Sequence, residues 1–239
     1  MKTCVNEIRQ PPRRSDQTLE LAVAHPASPG PAGAVLFGPQ PFLGGDMDNN
    51  VVLALQAVLT DRDWPVLRFN YRGVGASLDV EPGRNRYEYW REVEQEGSLE
   101  AVISDGREAL RRAGELFPVG LLAGYSFGAV TALALAGECA PEAALVLVAP
   151  PFGRADLAAL QARRAPTLLV LAGKDELTPA PPVAELRARF PALRIAVLDQ
   201  ADHFLLGRER ELDALLDGFL NQLSAADADA AQASSLEQA

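Results

Sequence analysis

The chain has 239 residues, of which 48% are hydrophobic, and it carries a formal net charge of −10 at pH 7. This length and apolar fraction suffice for one α/β domain with a sizeable core, or for two small domains. The negative charge opposes binding to the phosphates of nucleic acids and to anionic membrane surfaces, so neither is an expected partner.

Strand-like and helix-like apolar patterns alternate along the chain. In chain order the predicted elements are strand 18–24, strand 34–37, helix 49–60, strand 64–69, helix 98–116, strand 119–123, helix 129–136, strand 143–149, strand 167–172, helix 182–190, strand 194–198 and helix 208–223. Several of these strands are apolar throughout, which is typical of strands buried on both faces. The pattern therefore predicts an α/β fold, with a mainly parallel sheet between two layers of helices.

The composition divides the chain into three parts. Residues 1–16 are predicted to be a flexible arm, residues 17–224 the folded domain, and residues 225–239 a disordered acidic tail. The tail is rich in Ala, Ser, Asp and Gln, a composition that buries little apolar surface. Residues 70–97 are predicted to be irregular.

The cysteine content and the start of the chain bear on its location. Cys4 and Cys139 are too few and too far apart to indicate a disulfide framework. The first residues lack the apolar segment of a secretory signal, and no apolar run reaches the length of a membrane span. We therefore expect a cytoplasmic protein.

The segment from Leu121 to Ala129 reads LLAGYSFGA and contains a G-x-S-x-G pattern between a strand and a helix. This turn is strained, and its glycines leave room two residues before and after the serine. The hydroxyl of Ser126 is then held out at the sheet edge, and the main-chain N–H of Phe127 points to where an oxyanion would form. We predict that Ser126 is a catalytic nucleophile. The alternative is an ordinary serine in a glycine-rich turn.

A nucleophilic serine needs a base and a group that orients the base. The chain has two histidines: His203 follows the last predicted strand, whereas His25 precedes the parallel strands. His203 is therefore the predicted base, against the alternative of a surface histidine. Asp175 follows strand 167–172 and is the predicted acid, because Glu176 would face the other way and Asp202 adjoins His203. Its alternative role is that of a turn cap.

Several segments together resemble the small cap-less bacterial members of the α/β-hydrolase superfamily, which are dienelactone-hydrolase-like serine hydrolases. Besides the serine segment they are GPQPFLGGDMDN at 38–49, FNYRGVGAS at 69–77, GKD at 173–175 and ADHF at 201–204. The resemblance covers about residues 18–223 and implies the α/β-hydrolase fold without a large cap domain. The chain departs from the family where Gly38 and Gln40 replace the usual histidines of the first segment, which leaves the triad intact.

The segment Gly38-Pro39-Gln40-Pro41 contains the second predicted oxyanion donor. Its two prolines have no N–H, so only Gly38 and Gln40 can donate. The resemblance implies the position of Gln40. We therefore predict an oxyanion hole formed by the main-chain amides of Gln40 and Phe127.

These residues together predict a serine hydrolase that cleaves an ester or thioester of a small molecule through an acyl-enzyme. No metal and no organic cofactor is expected. One alternative uses the same triad for acyl transfer to a non-water acceptor or for elimination, and another is a catalytically silent binding protein. The expected partner is a small acyl substrate. The sequence does not determine the oligomeric state and is compatible with a homodimer.

Residues 81–97 extend the region after the RGVGAS segment by roughly ten to fifteen residues relative to the resembling family. Long loops are uncommon unless they are functional or disordered, and the aromatic residues within 87–90 favour order. One interpretation is that these aromatics only pack the insertion onto the domain. The other is a flap over Ser126, with a substrate pocket lined by aromatic side chains: Trp90, Tyr87, Phe42 and Phe152.

Overall fold

A computed structural model describes residues 5–12, 18–78, 83–138 and 140–237, with side chains described as far as residue 225. Cys4 and Cys139 lie outside these ranges. The described residues form eight strands: β1 Val5–Gln10, β2 Leu21–Pro26, β3 Gly33–Phe37, β4 Val66–Phe69, β5 Val119–Tyr125, β6 Ala144–Val148, β7 Thr167–Ala172 and β8 Arg194–Leu198. They also form seven α-helices: α1 Asn50–Asp61, α2 Arg86–Glu96, α3 Glu100–Gly114, α4 Phe127–Glu138, α5 Leu157–Ala162, α6 Val183–Arg189 and α7 Glu209–Glu237. None of these helices is long and apolar enough to cross a bilayer.

The strands form a single sheet in the order β1-β2-β4-β3-β5-β6-β7-β8. Strand β2 pairs antiparallel with β1 and β4, and the other neighbouring pairs are parallel. The central strands are buried along their whole length, as in β6 (ALVLV) and β7 (TLLVLA). Parallel strands covered on both faces require this continuous apolar character. The predicted fold class, an α/β fold with a mainly parallel sheet, is confirmed.

Two apolar cores lie on opposite faces of this sheet. Leu122 of β5 packs into the core that includes residues of α3 and α4, whereas Leu121 and Ala123 pack into the core that includes residues of α1 and α7. The alternation follows from the two-residue period of a strand. Both faces of the sheet are therefore covered by packed side chains, and the loops lie at the ends of the strands.

Helix α2 occupies residues 86–96, where the sequence analysis predicts an irregular segment over 70–97. The side chain of Asn85 accepts hydrogen bonds from two main-chain N–H groups of the first turn, and Gly97 ends the helix with a left-handed φ of 67°. These are ordinary helix start and stop signals. Only two of the eleven helical residues are buried, so the sequence lacks a strong 3.6-residue apolar period. Residues 81 and 82 of the predicted insertion lie outside the described residues.

The two ends of the chain also differ from the sequence prediction. Residues 5–10 of the predicted flexible arm form β1 and pair with residues 21–26. The strand is largely exposed at the edge of the sheet, so its sequence shows no apolar alternation. The predicted disordered tail over 225–239 differs as well, because α7 continues to Glu237. Alanine has the highest helix propensity, which favours this continuation.

The topology brings the ends of distant strands to one edge. The chain passes from β3 to β4 on one side and later to β5 on the other, so the strand order reverses at β3. In open α/β sheets, ligands bind at such a switch point, beyond the carboxyl ends of the strands. The loops that follow β3, β5, β6, β7 and β8 all emerge at this edge.

Candidate active site

Ser126 lies on a tight turn between β5 and α4. Its φ of 54° is left-handed, and its N–H donates to the Val148 carbonyl at 2.8 Å. A Cβ atom on Gly124 would lie 2.1 Å from the Gly128 carbonyl oxygen, and one on Gly128 would lie 2.1 Å from that of Phe37. Any side chain at either position would therefore collide with the main chain. The sequence prediction that both glycines make room for a strained serine turn agrees with this geometry.

His203 lies in the loop after β8 and reaches the hydroxyl of Ser126. Its Nε2 is 2.9 Å from the Ser126 Oγ, and both residues are buried, with 5% and 8% of their surface exposed. The hydroxyl of Tyr125 donates to the main-chain carbonyl of His203 at 2.8 Å. Burial raises the pKa of Tyr125, and the charge of Asp175 acts in the same direction, so the phenol stays protonated as a donor. Tyr125 thus holds the histidine loop against the end of β5.

Asp175 follows β7 and lies on the other side of the imidazole. Its Oδ2 is 2.7 Å from the His203 Nδ1, and Oδ1 accepts the main-chain N–H groups of Leu177 and Thr178 at 3.0 and 2.7 Å. The Thr178 hydroxyl donates to Oδ2 at 2.9 Å and lies 3.1 Å from the His203 Nδ1. A protonated Nδ1 satisfies the carboxylate and leaves Nε2 to accept the Ser126 proton. Asp175 therefore both caps the turn and orients the histidine.

Gln40 and Phe127, whose amides are the predicted oxyanion donors, line the same cavity as Ser126. The loop of Gln40 is held by its own carbonyl, which accepts the N–H groups of Leu43 and Gly45 at 3.2 and 3.1 Å. Phe127 is the first residue of α4, and the first amides of a helix have no acceptor within the helix. The positive end of the helix dipole adds to the attraction for a negative oxygen. This arrangement can stabilise an oxyanion formed at a carbonyl attacked by Ser126.

A cavity of about 290 Å³ opens next to Ser126, and we call it the Ser126 cavity. Its walls come from five loops and helices of the carboxyl edge: Gln40, Phe42, Leu43, Glu94, Ser126, Phe127, Pro151, Arg154, Leu177 and Thr178. A second hollow, the His203 hollow, lies against the imidazole and is lined by Lys174, Glu176, Leu177, Asp202, His203 and Phe204. One space thus borders Ser126 and the other borders His203, and Leu177 lines both.

Three of the four residues predicted to line the pocket do not line the Ser126 cavity, and Phe42 does. Trp90 is 2% exposed, with its ring against Tyr71 and its Nε1 donating to the Arg72 carbonyl at 3.1 Å. A buried Trp needs an acceptor for its N–H, and the RGVGAS loop supplies one. The flap prediction is therefore wrong for Trp90, which anchors α2.

Tyr87 and Phe152 lie outside the cavity wall as well. Tyr87 is 59% exposed, and its ring centroid lies 4.8 Å from that of Phe42, so it supports the wall from outside. Phe152 is partly buried and packs against the core on the side of α3 and α4. Phe152 lies one residue after Pro151 and two before Arg154, both of which line the cavity, and the sequence pattern did not determine which of these side chains faces it.

Several cavity or positioning residues were missed. Thr178 carries a readable signal, since a Thr three residues after an Asp commonly closes a hydrogen-bonded turn. Glu94 and Arg154 carry no signal in the sequence, because they meet only in the tertiary structure. There the Arg154 Nη2 lies 2.7 Å from the Glu94 Oε1. Glu94, rather than Trp90, is the residue that α2 places in the cavity wall.

The RGVGAS loop itself is braced by buried polar contacts. The Arg72 Nε donates to Asp105 at 2.8 Å, and the Arg72 main-chain N–H donates to the same carboxylate at 2.9 Å. The side chain of Asn70 bridges the Met47 N–H and the Glu20 carboxylate, each at 2.8 Å. These contacts give Arg72 and Asn70 a structural role in this loop.

No protein-family model matches the chain. An α/β serine hydrolase homologue from Coxiella burnetii is 28% identical, with a TM-score of 0.70 over 89% of this chain and 95% of its own. The Agrobacterium tumefaciens protein ATU1826 is 23% identical, with a TM-score of 0.74 over 92% and 97% of the two chains. A serine hydrolase without a lid from Xanthomonas campestris is 23% identical, with a TM-score of 0.70 over 92% and 94%. The chain has the α/β-hydrolase fold. One of these structural neighbours is described as lacking a lid, in agreement with the resemblance to cap-less members of the superfamily.

The α/β-hydrolase fold explains why the three loops converge. Its nucleophile, acid and histidine follow separate strands in the chain order Ser, Asp or Glu, His. Ser126, Asp175 and His203 follow β5, β7 and β8 in that order. The fold thus brings together residues that are far apart in the sequence.

Proposed function

We propose that the protein is a serine hydrolase that cleaves an ester or thioester of a small molecule through an acyl-enzyme. His203 removes the proton of Ser126 as the Ser126 oxygen attacks the substrate carbonyl. The amides of Gln40 and Phe127 bind the resulting oxyanion. His203 then gives its proton to the departing oxygen or sulfur, and water hydrolyses the acyl-enzyme by the same route in reverse.

The observation that carries the proposal is the continuous contact from Ser126 through His203 to Asp175, with separations of 2.9 and 2.7 Å. Both distances lie within hydrogen-bond reach, which a general base and its orienting acid require. The left-handed φ of Ser126 adds support, because strained residues cluster at functional sites. The names of the structural neighbours, which are serine hydrolases, support a hydrolase-type enzyme.

The two hollows suggest which part of the substrate lies where. The leaving group must face the histidine that protonates it, so we place it in the His203 hollow. The acyl group then lies on the other side of the reacting carbon, in the Ser126 cavity with Ser126 and Phe127. A cavity of about 290 Å³ lies at the lower end of ligand-site volumes and fits a short acyl chain.

The first experiment is labelling with a fluorophosphonate probe, followed by product analysis with a short-chain p-nitrophenyl ester. We expect covalent labelling of Ser126 and release of the free carboxylic acid. Ser126→Ala should lose labelling and about 10³-fold or more of the turnover while it stays folded. A thermal melt of the variant checks the fold.

Three outcomes would count against the proposal. Unchanged turnover in Ser126→Ala would show that Ser126 is not the nucleophile. The absence of labelling in the native protein would favour a silent binding protein. Transfer of the acyl group to an added alcohol or amine in preference to water would replace hydrolysis with acyl transfer.

A further inference from the structure

Two apolar side chains of the His203 hollow are exposed although they lie beside the triad. Leu177 is 51% exposed and Phe204 is 50% exposed, and both line the hollow. A single exposed leucine is common on protein surfaces, but apolar side chains gathered in a concave space are typical of a ligand site. Leu177 and Phe204 therefore offer apolar surface that a bound molecule can reach and cover.

The main chain holds both of these residues in place. The Leu177 N–H donates to the Asp175 Oδ1 at 3.0 Å, and the Phe204 N–H donates to the Asp202 Oδ1 at 3.0 Å. The Phe204 carbonyl also accepts a hydrogen bond from the Asn50 side chain at 3.2 Å. A surface that is already ordered binds a ligand at a small cost in entropy.

The hollow lies within reach of the atom that leaves during the reaction. The Phe204 and His203 rings are perpendicular, with their centroids 5.7 Å apart, and His203 is the residue that protonates the leaving atom. Leu177 lines both the hollow and the Ser126 cavity, so the two spaces adjoin at this side chain. A group attached to the leaving atom therefore contacts Leu177 first and Phe204 next. The hollow, of about 490 Å³, has room for such a group.

The charges of the hollow oppose an anionic group. Besides Leu177, Phe204 and His203, the lining consists of Lys174, Glu176 and Asp202, which is one ammonium and two carboxylates. An anion that approaches Lys174 also shares the hollow with both carboxylates. The whole chain adds to the repulsion, because its formal net charge is −10.

On this basis we infer that the His203 hollow selects substrates whose leaving group is uncharged and apolar, and that Leu177 and Phe204 bind this group. The inference rests on the proposed function, which assigns the hollow to the leaving group. It narrows the proposed substrates to esters or thioesters of apolar alcohols or thiols, and it disfavours leaving groups that carry phosphates or carboxylates.

The first test varies the alcohol while the acyl group stays acetyl. Initial rates of acid release are measured for ethyl, butyl and 2-methoxyethyl acetate, the last of which has an ether oxygen in place of one butyl methylene. A fully buried methylene is worth about fourfold in binding, and half of that free energy, about twofold, is expected in an open hollow. The native kcat/KM should therefore rise about fourfold from ethyl to butyl. It should be at least about threefold lower for the methoxyethyl ester than for butyl, although methoxyethanol is the better leaving group.

Two variants test the assigned residues. Leu177→Asn and Phe204→Gln replace an apolar side chain with a polar one and keep the main-chain N–H groups. Each should lower the butyl-to-methoxyethyl ratio by about twofold, and the double variant should bring it to one or below. Fluorophosphonate labelling of Ser126, in which only fluoride leaves, checks that the triad of each variant is intact.

Each variant has a matched control outside the hollow. Leu116 is about as exposed as Leu177 but follows α3, so Leu116→Asn should keep the native ratio. Leu206 lies in the same loop as Phe204 and is more exposed, but it does not line the hollow. Leu206→Gln should therefore keep the native ratio as well.

A second substrate pair tests the charge argument on its own. The acetate esters of 4-hydroxybutanoate and 4-hydroxybutanamide have the same size, but only the first is charged. The amide should be turned over at least about threefold faster in kcat/KM at low ionic strength, and salt should narrow the difference. Glu176→Gln should narrow it too, whereas Glu185→Gln, which removes the same charge from α6 outside the hollow, should not.

The outcomes separate three cases. If the native protein turns over the butyl and methoxyethyl esters equally, or prefers the carboxylate to the amide, the inference is wrong and the hydrolase stands. If Phe204→Gln alters the ranking of acyl lengths but not of alcohols, the hollow holds the acyl group and the inference is also wrong. If no ester shows turnover that depends on Ser126, the proposed function fails and the inference fails with it.

Discussion

Two regions that meet at Ser126 are held in place in different ways. The loops of Ser126, Asp175 and His203 directly follow sheet strands and are fixed by buried or main-chain hydrogen bonds. Helix α2 is attached through side chains, with Trp90 against the RGVGAS loop and Glu94 against Gln40 and Arg154.

The difference separates the reacting groups from the selection of substrate. Main-chain hydrogen bonds and strand ends depend little on which side chains surround them, so we expect the geometry of Ser126 to tolerate most substitutions nearby, with Gly124 and Gly128 as exceptions. Contacts such as Glu94 with Arg154 depend on single side chains and change with one substitution. We expect variants of the three triad residues to abolish turnover, and variants of α2 to alter stability or substrate ratios.

The strongest test of the first region compares the two histidines. His203→Ala should lower kcat/KM by about 10³-fold, because it removes the general base. His25→Ala, in β2 on the far side of the sheet, should stay within about twofold of native. Initial rates with p-nitrophenyl acetate provide the measurement. An essential His25 would show that the base has been placed wrongly.

Trp90→Ala tests whether α2 is held by its buried anchor. Removing a large buried ring should lower the free energy of unfolding by about 3 kcal/mol or more, because it leaves a cavity and a carbonyl without its donor. Urea denaturation measures the change. Fluorophosphonate labelling of Ser126 in the absence of urea should persist. A loss below about 1 kcal/mol would mean that α2 is held elsewhere.

Thr178→Val tests how finely the histidine is oriented. The substitution keeps the shape of the side chain but removes the hydroxyl that donates to Asp175. We expect kcat to fall about tenfold with KM nearly native, since the loss of one hydrogen bond affects the orientation of His203. Thr178→Ser, which retains the hydroxyl, should recover most of the rate. Equal rates in the two variants would make Thr178 a packing residue.

Tyr87→Ala should produce the smallest effect. Tyr87 is exposed and contacts the cavity wall only through Phe42. Loss of this aromatic pair should cost about 0.5–1 kcal/mol of unfolding free energy and leave the ranking of p-nitrophenyl esters of graded acyl length native. A large change in that ranking would show that Tyr87 lines the substrate pocket, as the sequence analysis proposed.

The sequence predicts those features of the structure that depend on a short, contiguous pattern of residues. The strand before Ser126, its two glycines and the helix after it are contiguous, and each constrains the main chain in a way that residue types reveal. The order of apolar strands likewise predicts a parallel sheet. Helix α2 was missed although Asn85 and Gly97 are standard end signals, because its polar sequence conceals the buried pair Trp90 and Val93.

The sequence by itself therefore determined the parallel part of the sheet, through its apolar strands, and the serine turn. It also determined the choice of Ser126, Asp175 and His203 as candidates, since each lies in a short motif that follows a strand. Only the tertiary structure decided which side chains face the cavity. The Trp90 ring is buried in the core, and the Glu94 side chain pairs with Gln40 and Arg154. The physical reason is that burial and pairing depend on distant partners, whose approach no local pattern encodes.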